Sequence, residues 1–325
     1  VGSINVPIVR GIATAILGHL LAAAGVALAV ASLAFVALQM APGDVAFRIA
    51  EARSGERISL RTVEEARLVT GLDQPIIVQY ARWVGSALTG QLGRSMVSGR
   101  QVTTEVWRSF RTTLNIAAIG VSLALVCSLI IGFAAGMRRD GLIDRGVLVV
   151  SAVLSSVPSF LLGIILITIF AIILRWLPAA GLSLPGYVIL PSCTLALALL
   201  PELSRVARNA VVRTMQDFYP TYGRIKGQSW LRIILVHALR PTLVPVIAYI
   251  GPLVAHTVGG LVVIDVLFNL DGLGTRLIDS VIAADVPMAM GTGLLIGVSV
   301  VVINGISDIA VQLLDPRLFK AGSHS

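Results

Sequence analysis

Apolar residues along this chain fall into six long runs, separated by shorter stretches that hold the charges: residues 12–40, 112–136, 147–174, 182–201, 241–264 and 286–307. A hydrocarbon layer about 30 Å thick takes roughly 20 apolar residues of helix per crossing, so the pattern predicts six transmembrane helices. Pro185, Gly186 and Pro191 interrupt the start of the fourth run, yet no charged side chain falls between Arg175 and Glu202. The first run follows Arg10 as the core of a signal sequence would. It is about twice the length of such a core and no small-residue cleavage pattern follows it, so it is expected to remain as a helix.

Between the first two runs, residues 41–111 are more polar and read as a small folded unit. Thr62 and Glu65 have the spacing of a capping box, and Gly71 offers a stop. A second helix is expected from Pro75, with Ile76, Ile77, Tyr80, Trp83, Val84, Ala87 and Leu88 at helical spacing before Gly90. Two short amphipathic helices on the outer membrane surface are the expected result.

Composition agrees with the pattern: 56% of the 325 residues are hydrophobic and 13% charged, with a mean hydropathy of +0.90, outside the range of soluble domains. The net charge of +8 alternates with the apolar runs and forms no basic domain, which argues against nucleic-acid binding. It does assign topology, because short loops rich in Lys and Arg stay in the cytoplasm. The loop at 137–146 carries Arg138, Arg139 and Arg145. The stretch 202–240 has seven basic residues against Glu202 and Asp217, whereas 265–285 sets Arg276 among four aspartates. Both termini are therefore expected in the cytoplasm, and 41–111 outside, since loops that long translocate regardless of charge. The near absence of lysine, with only Lys226 and Lys320, fits a bacterium with a GC-rich genome.

Chemistry-bearing residues are sparse. Cys127 and Cys193 lie inside apolar runs, where cysteine serves as a small apolar filler. His19, His237, His256 and His324 are scattered, with no pair at metal-ligand spacing, and no Gly-x-Ser-x-Gly elbow occurs. No metal, cofactor or catalytic role is expected of this chain.

Residues 203–240 are too polar to span and too patterned for a slack loop, so short helices at the cytoplasmic face are expected. Gly223 and Gly227 permit close backbone approach, and Ser229 can cap a helix starting at Trp230. Two readings of the spacing stand side by side: a loop paired with anionic lipid head groups, and a docking element for a cytoplasmic partner.

A resemblance separates them. Tyr219, then Gly223-Arg224-Ile225-Lys226-Gly227-Gln228-Ser229, then His237-Ala238-Leu239-Arg240 and Pro245 resemble the coupling loop of ATP-binding cassette importers of the dipeptide and oligopeptide type. Pro220, Gly223 and Ile225 depart from the family's residues at their positions. Ala41-Pro42-Gly43-Asp44, Gly71-Leu72-Asp73-Gln74-Pro75, Leu92-Gly93-Arg94-Ser95, Ser156-Val157-Pro158-Ser159-Phe160, Gly272-Leu273-Gly274 and Asp315-Pro316-Arg317 continue the likeness in family order. The chain is similar to the first, B-type, of the two permease subunits of such importers.

The resemblance implies an all-α polytopic membrane protein of the type I importer permease fold. Its parts would be an N-terminal tail and first helix at 1–40, an extracytoplasmic helical segment at 41–111, a permease core at 112–315 with its coupling loop near 203–240, and a cytoplasmic tail at 316–325. It also implies partners: a second permease subunit, two ATPase subunits that carry ATP and Mg, and an external solute-binding protein that lands on 41–111. The chain itself has no Walker pattern. Peptides are the expected cargo, with haem, nickel, glutathione and opines as alternatives. An ion-coupled secondary transporter or a membrane hydrolase is a rival from another class.

Candidate path or gate residues follow from position. Pro158 would kink the third helix near mid-membrane, with Ser155, Ser156 and Ser159 around it as polar lining or as self-satisfied packing. His256 and Thr257 lie deep in the fifth run, either hydrogen-bonded to a neighbouring helix or facing a cavity. Asp265, too costly for a helix centre, is expected at the interface. Asn304 and Asp308, four apart, should tie the last helix to its neighbours.

Overall fold

The computed structural model describes residues 5–40, 43–54, 59–181, 185–216, 225–229, 232, 234 and 238–314. Eleven α-helices are found among them: α1 (Asn5–Met40), α2 (Val45–Ser54), α3 (Leu60–Thr70), α4 (Ile76–Leu88), α5 (Val102–Gly136), α6 (Leu142–Ser155), α7 (Ser159–Leu166), α8 (Ile189–Gln216), α9 (Leu239–Leu267), α10 (Leu273–Ile282) and α11 (Val286–Leu314). A π-helical turn, Ile167–Ile173, prolongs α7. The chain divides into two compact units, one built from the described residues of Val1–Leu20, Asn115–Phe268 and Val302–Ser325, the other from those of Leu21–Leu114 and Asn269–Val301.

In the first unit α8 is the central element, and its register follows from small residues on α5. Gly120, Ala124, Ser128, Gly132 and Gly136 recur every four positions and are buried, so they form one stripe that lets two backbones approach closely. A Cβ added to Gly120 would lie 2.9 Å from Leu195, one on Gly132 2.5 Å from Ala207, and one on Gly136 2.8 Å from Val211. Residue numbers rise together along both helices, so α5 and α8 run parallel.

The return crossing between them is made by α6 and α7. Asp144 meets Arg208, Ser151 meets Ser204, and Gly163 sits under Thr194, so this pair runs antiparallel to α8. From Thr194 to Arg208 is about 21 Å at 1.5 Å per residue. The two helices are bent by 99° at their junction. Where the sequence suggested one kinked helix, Pro158 instead divides two: it lacks an N–H, takes extended angles (φ −58, ψ 144), and starts α7. Among the described residues five further helices are long and apolar enough to cross a membrane, giving six candidate spans once the bent pair is counted as one.

The fourth span also differs from expectation. Its helix begins at Ile189, not 182, and continues past Glu202 to Gln216. Leu203, Ala207, Ala210, Val211 and Thr214 remain buried at helical spacing, so 203–216 extends the span and is no separate cytoplasmic helix.

Last-span polar residues tie helices together within this unit. Asp308 pairs with His19 of α1 at 3.3 Å, and Asn304 packs against Gly251 of α9.

The second unit is held by polar groups at helix ends, of which Asp285 and Glu105 are buried. Asp285, 3% exposed, accepts from the Ser95 hydroxyl and from Met96 N–H at 3.0 Å. Arg276 bonds Asp271 at 2.5 Å and Glu105 at 3.3 Å, and Arg48 donates to the carbonyls of Val281 and Ile282 where α10 ends, both at 2.8 Å. Helix α3 starts three residues earlier than the sequence suggested: Ser59, not Thr62, is its N-cap, and Thr62, not Glu65, completes the capping box. Gly71 stops it at φ 72, and α4 follows Pro75 as expected.

Candidate functional site

The basic stretch connects α8 to α9. Of its predicted residues, Tyr219, Gly223, Arg224 and His237 lie outside the described residues, as do Trp230 and the tail after 314. Gly227 takes φ 71, a left-handed turn that side chains disfavour, between Lys226 and Ser229. Arg240 stands in the first turn of α9 and its Nε donates to Leu314 O at 2.9 Å, a cation on the carbonyl end of α11. Pro245 lies inside α9, not in the loop.

Three polar links fasten α8, between Glu202 and Arg208, to the helices around it. Arg208 grips Asp144 of α6 with two bonds, Nε to Oδ1 at 2.8 Å and Nη2 to Oδ2 at 2.6 Å. Asp144 is 1% exposed and also accepts from Asp140 N–H. The Tyr249 hydroxyl of α9 donates to Glu202 at 2.7 Å. Arg205 donates to Ser155 Oγ at 3.0 Å, which reaches the edge of the helix break. Charge-assisted bonds of this kind are short and directional, and they join α8 to α6 and α9.

At the break the structure brings some predicted residues together and separates others. Ser159 lies against α9 at Gly260, where an added Cβ would stand 3.2 Å from Ser159 Oγ and 3.9 Å from the Thr257 methyl. Gly260 thus seats the start of α7 on α9. Thr257 and Ser156 turn their hydroxyls to their own helix, onto Leu253 O and Ala152 O. His256 is exposed in the middle of α9. Asp265 lies in the last turn of α9, away from mid-helix where a buried charge is most costly, and protein encloses it to 1% exposure.

Two cavities flank α8. One, of about 310 Å³, lies between α5, α6 and α8 over Ser151 and Ser204. The other, of about 350 Å³, lies between α5, the α7 segment and α8, with Cys127 and Cys193 in its wall. Their linings are otherwise apolar, unlike a site built to hold a peptide's backbone. Among the described residues no group of three or more His, Cys, Asp or Glu is placed to hold a metal ion.

Residues 128–320, which contain α6 to α11 and the basic stretch, match the family described as binding-protein-dependent transport system inner membrane component. The chain belongs to this family. A provisionally named peptide transport system permease protein of Brucella abortus is 35% identical over 301 residues, covering 90% of this chain and 95% of its own. A Brucella suis protein, also named provisionally as a peptide permease, is 30% identical over 315 residues, with 93% and 98% covered. A glutathione transport system permease of Salmonella paratyphi A is 33% identical over 291 residues, with 90% and 94% covered. The chain is thus a multi-pass permease of the ABC transporter class, and its relatives are named for peptide or glutathione transport.

Asp144, Glu202, Tyr249 and Gly260 were not singled out by sequence reasoning. Glu202 entered it only as a charge at the end of the fourth run, and Asp144 did not enter it at all. The signal for Gly260 was its spacing of three from Thr257, which places both on one helix face.

Proposed function

We propose that this chain forms, with a second permease subunit, the path of an ATP-driven importer for di- or oligopeptides, and that the stretch 217–238 is its ATPase-coupling element. The observation that carries this reading is the connection through α8. The stretch begins where α8 ends, α8 is fastened to α6 and α9 by Arg208–Asp144 and Tyr249–Glu202, and α9 seats the broken span at Gly260. A push on the stretch therefore reaches the break at Ser156–Pro158 through helices that move together.

ATP and Mg act on separate ATPase chains; free energy enters here as a difference in contact between two conformations. The chain itself is non-catalytic. Two basic segments, 137–146 and 217–238, follow the ends of α5 and α8, which are parallel and adjacent. This supports a cytoplasmic side for both, with the termini on that side and 41–111 outside as the landing surface of a solute-binding protein. Ser155, Ser156, Pro158, Ser159, His256 and Thr257 line or gate the path in this reading, and Asp265 closes its outer end. Glutathione, itself a small peptide, is the cargo named for one relative and is the alternative closest to peptides.

Affinity purification from native membranes in mild detergent, with intact-mass stoichiometry, tests the assembly. A second permease plus two ATPase copies is expected. A chain that is alone or only self-associated would sink the coupling role and return the basic stretch to lipid head groups.

A further inference from the structure

Helix α4 carries an apolar stripe on the side turned away from its unit. Ile77 is 81% exposed and Leu88 84% exposed, and Ala81 and Gly85 between them are exposed too. These four positions share one helical face. The other face is anchored. The Tyr80 hydroxyl is 2.6 Å from Ser32 Oγ, the Tyr80 ring lies 5.3 Å from that of Phe35, and Trp83 packs on the cluster of α1 and α11 side chains around Phe35 and Met290.

That anchorage sets a depth. Ser32 precedes the end of α1 by eight residues, about 12 Å at 1.5 Å per residue, and it lies inside the apolar stretch Gly18–Met40. A helix fixed beside Ser32 and Phe35 is level with the outer turns of a membrane span, not above them. On α1 itself Leu33, Val36 and Met40 are exposed at 69%, 49% and 79%, the faces a span offers to lipid.

We propose that α4 is sunk into one leaflet of the bilayer beside α1, with the Ile77–Leu88 stripe in contact with phospholipid acyl chains. The one charge on α4 fits this placement. Arg82 extends back so that Nη1 comes within 4.0 Å of the Cβ position of Gly71, at the carbonyl end of α3, as a snorkelling arginine does. The stripe is left uncharged, as in helices that lie in the membrane interface. If, as proposed above, 41–111 is the landing surface of a solute-binding protein, that surface is then confined to its more polar parts, such as α2 and α3, and α4 holds them at a fixed height.

The test is site-directed spin labelling of the full chain with its accompanying subunits, in nanodiscs of phosphatidylethanolamine and phosphatidylglycerol. Cysteine is placed at Ile77 or Leu88, with Arg61 as the comparison, after Cys127→Ala and Cys193→Ala. The expected result is a several-fold higher ratio of oxygen to nickel-chelate accessibility at 77 and 88 than at 61. Equal or greater nickel accessibility at 77 and 88 would mean the stripe faces water and would overturn the proposal. So would an immobilised label shielded from both reagents, because a protein partner would then cover the stripe.

Discussion

Arg208 and Asp144 face each other through two hydrogen bonds of 2.8 and 2.6 Å, with the carboxylate 1% exposed and the guanidinium side chain 15% exposed. Removing one partner of a buried pair strands the other and costs about 3–5 kcal/mol, whereas replacing both with apolar groups is often neutral. Asp144→Ala is therefore expected to lower thermal stability in detergent markedly. The double variant Asp144→Leu with Arg208→Met should recover most of it. If the pair also carries motion between α6 and α8, the recovered double variant keeps its fold yet loses coupling of ATP hydrolysis to uptake, measured in proteoliposomes.

Close approach of α5 to α8 rests on the absence of a side chain at Gly132. An added Cβ would lie 2.5 Å from the Ala207 Cβ and 2.9 Å from the backbone N of Arg208, and backbone cannot yield as a flexible side chain does. Gly132→Val is expected to cost at least the 1–3 kcal/mol typical of overpacking. Gly146→Ala on α6, with nothing within 4 Å, should be neutral or slightly stabilising through helix propensity. Equal melting temperatures for the two variants would refute the parallel α5–α8 packing.

The hydroxyl of Ser95 and the backbone of Met96 converge on Asp285 in the second unit, and Asp285 also accepts from Met288 N–H at the start of α11. Ser95→Ala leaves a buried carboxylate short of one donor, a loss of about 1–3 kcal/mol. Asp285→Ala removes the cap as well and should be the worse of the two. Amide hydrogen exchange of 92–102 and 285–290 reads both: faster exchange in both segments is expected, and a change confined to one would break the link.

These residues show how far the sequence could be read. The six apolar runs located the spans because burial in lipid imposes a length and a polarity, and Pro75 and Gly71 located a helix start and stop because their backbone chemistry is local. The short motif Leu92-Gly93-Arg94-Ser95 was visible as a likeness, but its partner Asp285 is 190 residues away and was counted only as a charge. The same limit applied to Asp144 and Arg208, 64 residues apart. Local pattern also misjudged α8: once charges appeared at Glu202 the run seemed to end, although the face through Leu203, Ala207 and Val211 stays buried. At Pro158 the residue was right and the consequence underestimated, since a kink and a 99° break begin with the same missing N–H.

Gly227 carries the prediction closest to the coupling role. Its φ of 71 costs a side chain about 1–2 kcal/mol, least for Asn and Asp, whose short polar groups tolerate the left-handed region. Backbone strain alone therefore ranks Gly227→Val as worse than Gly227→Asn or Gly227→Asp. Docking against an ATPase ranks them differently, because an added carboxylate in a basic contact changes its charge as well as its shape. Gly227→Asp is expected to abolish uptake while the chain still reaches the membrane, with Gly227→Asn retaining much more activity. Uptake assays at matched membrane levels, with co-purified ATPase quantified alongside, separate the two causes. Normal uptake by Gly227→Asp would remove the reason for treating the stretch as a coupling element.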